Sequence, residues 1–98
     1  MKRYEGLQLH YINGVWRPGT SEKSITDYNP YNGEELLVFQ AATIADMNEA
    51  YAGAAEKQKT WAKTNPYQIS SIMQKAAQIM KDRSEEIIDW LIKESGST

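Results

Sequence analysis

Cysteine is absent from this 98-residue chain, and histidine occurs once, at His10. The first absence removes a disulfide framework, a thiolate zinc site and a cysteine nucleophile together. Long apolar runs are missing too. The basic start, Met1-Lys2-Arg3, is followed by no run of seven apolar residues, so a signal peptide is not expected. No stretch approaches the ~20 apolar residues of a membrane span, and a cytoplasmic location is the default. Charge of one sign is lacking as well. Eleven Lys and Arg are interleaved with thirteen Asp and Glu, for a net charge of −2. A phosphate-tracking protein needs clustered cations to release counterions, so nucleic acid is not an expected partner.

What remains is an ordinary soluble composition, 41% apolar and 24% charged, in a length that allows at most one domain. A chain of this size buries roughly 60–70% of its unfolded surface, which leaves thin stability.

Two halves differ in period. Residues 7–42 carry strand and turn signals. Leu7 to Ile12 alternates loosely, Asn13-Gly14 suits a tight turn with positive φ, and Val15-Trp16 resumes the extended chain until Pro18-Gly19. Lys23 to Tyr28 is a second short run, stopped by Asn29-Pro30. Asn32-Gly33 marks another turn, before the apolar stretch Leu36-Leu37-Val38-Phe39. These signals predict an antiparallel ribbon of two or three strands.

Residues 43–95 carry helix signals. Thr43 is a good N-cap with Asp46 as capping-box partner, and Ile44, Met47, Tyr51, Ala54, Gln58 and Trp61 follow helical steps. Gly53 costs that helix about 1 kcal/mol relative to Ala. Asn65 and Pro66 suit the cap and first turn of a second helix, whose stripe is Ile69, Ile72, Met73, Ala76, Ile79 and Met80. Asp82 with Glu85 predicts a break near Lys81-Asp82, in preference to one unbroken helix. Ile87, Ile88, Leu91 and Ile92 line a third helix that Gly96 ends. The fold class is therefore α+β: a strand ribbon followed by three amphipathic helices.

No constellation among these residues carries chemistry. His10 has no Ser or Asp placed beside it by a motif and reads as a surface strand histidine. Glu34-Glu35 and Glu85-Glu86 are adjacent carboxylates, which point in different directions and read as solvated charge. Ser95-Gly96-Ser97-Thr98 follows a helix, whereas phosphate loops open one. Trp16, Trp61 and Trp90 lie too far apart for a local stacking platform and read as packing residues. No catalytic, cofactor-binding or metal-binding residue is expected.

Several stretches, taken in order, resemble the amino-terminal part of the NAD(P)-dependent aldehyde dehydrogenase superfamily. They are Tyr11-Ile12-Asn13-Gly14-Val15-Trp16, Asn29-Pro30-Tyr31-Asn32-Gly33-Glu34-Glu35-Leu36, Ala42-Thr43 through Asp46 to Trp61, Ile72 to Met80 with Arg83 and Glu85-Glu86-Ile87, and Glu94-Ser95-Gly96. The Ser-Gly-Ser-Thr ending resembles the benzaldehyde- and vanillin-type branch. Asn65-Pro66-Tyr67-Gln68 departs from the Glu-Arg pair that most members carry there.

The resemblance implies a longer parent, roughly 480–500 residues and several domains by length alone. Such enzymes oxidise an aldehyde to the carboxylic acid through a cysteine thioester, with NAD or NADP as hydride acceptor. In the family those groups lie beyond Thr98, so none is carried over and the chain alone is expected to be inactive. In some members backbone carbonyls before the Asn-Pro turn help bind a monovalent cation, and Asp27 and Tyr28 occupy the matching positions. The family places these helices against the cofactor-binding sheet. The expected partners are thus the remainder of a dehydrogenase chain or, for the isolated segment, other copies of itself, because large apolar faces rarely stay exposed. The alternative is a self-standing helical interaction module.

Overall fold

Alternating, turn-punctuated sequence in the first half and helical periodicity in the second give four strands and then three helices. The computed structural model describes residues 5–96. The strands are β1 (His10–Ile12), β2 (Val15–Arg17), β3 (Ser24–Tyr28) and β4 (Glu35–Gln40). The helices are α1 (Ile44–Trp61), α2 (Pro66–Asp82) and α3 (Ser84–Ser95).

The α+β class and the three helices agree with the sequence reading, but the strands form two separate antiparallel hairpins, β1-β2 and β3-β4, in place of one ribbon. The first run is also shorter than residues 7–12. Gly6 takes φ +72° and the Leu9 N–H donates to the Gly6 carbonyl, so residues 6–9 turn before the chain extends. Asn13 and Gly14 both have positive φ (50° and 79°), the signature of the type I′ turn that matches strand twist. Ile12 pairs with Val15 across it.

The Asn29–Glu34 loop is closed by its own polar groups. The Asn29 side chain accepts the Tyr31 N–H, the Asn32 side chain accepts the Glu34 N–H, and the Asn29 N–H reaches the Glu34 carbonyl at 2.8 Å. Gly33 supplies the positive φ, 74°, that the loop needs.

Caps appear where the residue types predict them. Thr43 and Asp46 form a reciprocal capping box, Asn65 accepts the Tyr67 N–H with Pro66 at the first turn, and Gly96 ends α3 at φ 70°. The α2–α3 break falls one residue later than predicted. Asp82 is the last residue of α2 and accepts from Gln78, so it caps nothing. Arg83 alone leaves the helical region, at φ −101° and ψ 17°, and its side chain pairs with Glu86. Glu86 is therefore buried, 5% exposed, and not the solvated charge its sequence context suggests.

The interior is sparse: among the described residues Ile12 is the one buried large hydrophobic side chain. The chain exposes 7996 Å², against roughly 5,700 Å² for a compact monomer of 11.2 kDa. Its radius of gyration, 16.8 Å, likewise exceeds the roughly 13 Å of a compact domain of this length.

Candidate functional site: the hairpin–helix joint

The densest polar cluster sits where β2 and the strand-to-helix turn meet α1. Its centre is Asp46, 3% exposed. One carboxylate oxygen accepts from Arg17 Nη1 at 2.9 Å. The other accepts from the Thr20 N–H, the Thr20 hydroxyl and the Thr43 N–H, each at 2.9 Å. Arg17 bridges onward to Glu49 at 2.8 Å.

The hydroxyl directions follow from these contacts. A carboxylate can only accept, so the Thr20 proton points to Asp46. The hydrogen bond between the Thr20 and Thr43 hydroxyls must then run from Thr43 to Thr20. The Asp46 N–H closes the ring by donating to the Thr43 hydroxyl at 3.1 Å. The backbone N–H of Thr43, then that of Thr20, with the Thr20 hydroxyl and Arg17, holds the Asp46 carboxyl well below the usual carboxylate range.

Two glycines permit this geometry. A Cβ on Gly19 would lie 2.2 Å from the Ala41 carbonyl oxygen, so only glycine lets the chain before Thr20 cross Ala41. A Cβ on Gly53 would come within 2.7 Å of the Asn13 side chain, so the helix pays its propensity penalty to admit the β1-β2 turn. The face of α1 that meets the hairpin thus consists of Asp46, Ala50 and Gly53. The large apolar residues of α1 point elsewhere: Ile44, Met47 and Tyr51 are 75, 50 and 72% exposed.

Chemically the joint is closed. Four donors favour the ionised form of Asp46, which leaves it little affinity for a substrate proton near neutral pH. An open cleft of about 420 Å³ beside it, lined by Tyr11, Asn13, Gly14, Ala50, Gly53, Ala54 and Lys57, holds one ionisable cation and no acid–base pair.

The other sequence candidates are scattered. His10 Nε2 hydrogen-bonds the Gln40 carbonyl at 3.1 Å and its ring stands edge-on to Phe39, which ties β1 to β4. Glu34, Glu35 and Glu85 are exposed. Trp16 packs against Tyr11 across the first hairpin, with ring centroids 4.8 Å apart and planes tilted by 46°, while Trp90 donates to Glu94. Ser95 Oγ donates to the Leu91 carbonyl, and Ser97 and Thr98 lie outside the described residues.

Asp27 meets Glu94 at the end of α3. The Trp90 indole holds the Glu94 carboxyl down, but partial desolvation and the Asp27 carboxylate outweigh it, and Glu94 is raised above its ordinary value. Tyr28 follows Asp27 as the exposed last residue of β3. Among the described residues no three His, Asp or Glu side chains gather as metal ligands.

Carboxylates stand in the first turns of α1 (Asp46) and α3 (Glu85 and Glu86), and α2 opens with Asn65 as cap and Pro66 in its first turn.

Comparison with known proteins gives this joint and its helices a context. The sequence profile of the aldehyde dehydrogenase family matches residues 16–98. A vanillin dehydrogenase of Corynebacterium glutamicum is 42% identical over 89 residues, which is 91% of this chain and 18% of that protein. A benzaldehyde dehydrogenase of Bacillus subtilis is 35% identical over 98 residues, all of this chain and 20% of that one. The crystal structure of an NAD-dependent benzaldehyde dehydrogenase from Corynebacterium glutamicum superposes with a TM-score of 0.92 at 39% identity, over 97% of this chain and 21% of the other. The chain spans about a fifth of the length of the relatives it matches. No described helix is long and apolar enough to cross a membrane. On the strength of the profile match and these relatives, this chain is a member of the aldehyde dehydrogenase family, corresponding to about one fifth of such a protein.

Proposed function

We propose that residues 1–98 are a packing segment of an NAD(P)-dependent dehydrogenase that oxidises an aromatic aldehyde to its carboxylic acid. Within it, the strands of residues 7–42 and the helices of residues 43–95 serve as scaffold, and the thioester chemistry and the cofactor belong to parts of the protein outside this segment. A cytoplasmic setting suits the absence of cysteine and of apolar runs.

The observation that carries this reading is a pairing of two facts. A likeness to vanillin and benzaldehyde dehydrogenases runs along nearly the whole chain. Yet the same chain exposes roughly 2,300 Å² more than a compact monomer of its mass. A surface of that size is what a segment carries when other structure covers it, either the remainder of a dehydrogenase or, for the isolated chain, further copies of itself.

The test is NAD(P)H formation from benzaldehyde and vanillin. The isolated chain should form none and bind no dinucleotide, while a longer protein that carries this segment should turn both over. Turnover by the isolated chain contradicts the scaffold role. Inactivity of the longer protein toward every aldehyde tried contradicts the parent assignment.

A further inference from the structure

The cleft beside the joint has a neighbour on α1. A second hollow, about 390 Å³, shares Ala54 and Lys57 with it and ends at Trp61 and Thr64. Ala50, Gly53, Lys57, Trp61 and Thr64 follow steps of three and four, so the two hollows run along one stripe of the helix as a single trough. Small residues floor its first part, and Tyr11 and Trp61, 61 and 36% exposed, are its large side chains.

Lys57 stands where the hollows meet, and it carries the one charge of the trough. Of the two lysines in α1, Lys59 pairs with Glu56 at 3.0 Å. The residues three and four positions from Lys57 are Gly53, Ala54, Thr60 and Trp61, so no acid lies within helical reach. The hairpin brings no carboxylate to it either, and among the described residues Lys57 has no ion pair.

An ammonium that is covered without a counter-ion costs more than the apolar contacts around it contribute. Whatever seats on the trough must therefore bring an anion to Lys57. The chain spans about a fifth of the relatives it matches, so a longer protein of this family has ample chain to supply one.

Resting on the reading of this chain as a segment of a longer dehydrogenase, we propose that the trough seats an acidic stretch of the remaining chain. One Asp or Glu carboxylate of that stretch pairs with Lys57, and its apolar neighbours lie against Tyr11 and Trp61. Ala50, Gly53 and Ala54 let it approach the helix backbone closely. From Ala50 to Trp61 the helical rise gives about 16 Å, room for about five extended residues.

Two reagents read the trough, on the isolated chain and on a longer protein that carries it. An amine-acylating reagent should modify Lys57 readily in the isolated chain and roughly tenfold more slowly in the longer protein. A water-soluble carbodiimide activates a carboxyl so that an amine in contact with it forms an amide. In the longer protein it should join Lys57 to an Asp or Glu outside residues 1–98 of the same molecule. Lys57→Glu should lower the thermal midpoint of the longer protein by several degrees, Lys57→Gln by less, and neither should move that of the isolated chain.

Equal acylation in both proteins overturns the proposal. So does a shielded Lys57 that cross-links to a carboxyl within residues 1–98, to a second molecule, or to none. Protection of Lys57 in the isolated chain by added benzoate overturns it too, in favour of a small anion. The NAD(P)H assay is read separately. A longer protein that turns over aldehydes with a freely acylated Lys57 refutes the trough alone, and one inactive toward every aldehyde refutes the earlier reading whatever Lys57 does.

Discussion

The hairpin–α1 joint and the α2–α3 arm are held in opposite ways. At the joint a polar group is buried and fully partnered: Asp46 takes four donors from Arg17, Thr20 and Thr43. Small residues bring the elements close, with Gly19 against Ala41 and Gly53 against Asn13. Along the arm a continuous apolar stripe faces outward, and α2 passes into α3 through the break at Arg83, whose side chain pairs with Glu86. The first region carries its own specification. The second has an unfilled requirement for cover, so its order should follow whatever covers it.

Breaking the joint should have the largest effect. Asp46→Ala removes the common acceptor of Arg17, the Thr20 N–H and hydroxyl and the Thr43 N–H, leaving Arg17 with Glu49 and the Pro18 carbonyl. A partly buried donor left unmet costs more than a formed bond contributes. The cooperative thermal transition of the first half, followed by circular dichroism, should disappear. Acid should do the same more gradually. The folded-state pKa of Asp46 is depressed, so its contribution is complete above the unfolded-state value near 4 and is lost as pH falls below it. Asp46→Asn should flatten the stability profile in that acid range; an unchanged profile would mean the joint is not the acid-sensitive element.

Next comes Gly19→Ala. Its Cβ would meet a backbone carbonyl, which cannot swing aside as a side chain tip does. The expected loss is about 3 kcal/mol, read by denaturant titration, and a change near zero would show that the chain can pass Ala41 another way.

The smallest effect belongs to the arm. Asn65→Ala removes the cap of α2 and should lower helicity in line with about 1 kcal/mol, with a weaker effect at concentrations where the stripe is covered. An equal effect at all concentrations would contradict the dependence on cover.

The sequence was legible wherever a few consecutive residues settle the matter. Asn13-Gly14, Thr43 with Asp46, Asn65-Pro66 and Gly96 form the turns and caps their chemistry suggests, because each is decided within one turn of chain. The ordered motifs also announced the family. What stayed hidden depends on distant partners. Arg17 meets Asp46 across 29 residues, so Asp46 read as a cap alone. The large apolar side of α1 looked like its packing face, yet the small side packs, because the turn at Asn13 needs room that only Ala50 and Gly53 leave. Separate hairpins in place of one ribbon follow from how β1-β2 docks on α1, which no local pattern encodes.

Amide hydrogen exchange on the isolated chain, at dilute and at high micromolar concentration, tests the contrast between the two regions most directly. The account predicts protection in the β1-β2 hairpin and the first turns of α1 at both concentrations, with protection of Ile69 to Met80 appearing only at the higher one. Equal, concentration-independent protection in both regions would contradict it.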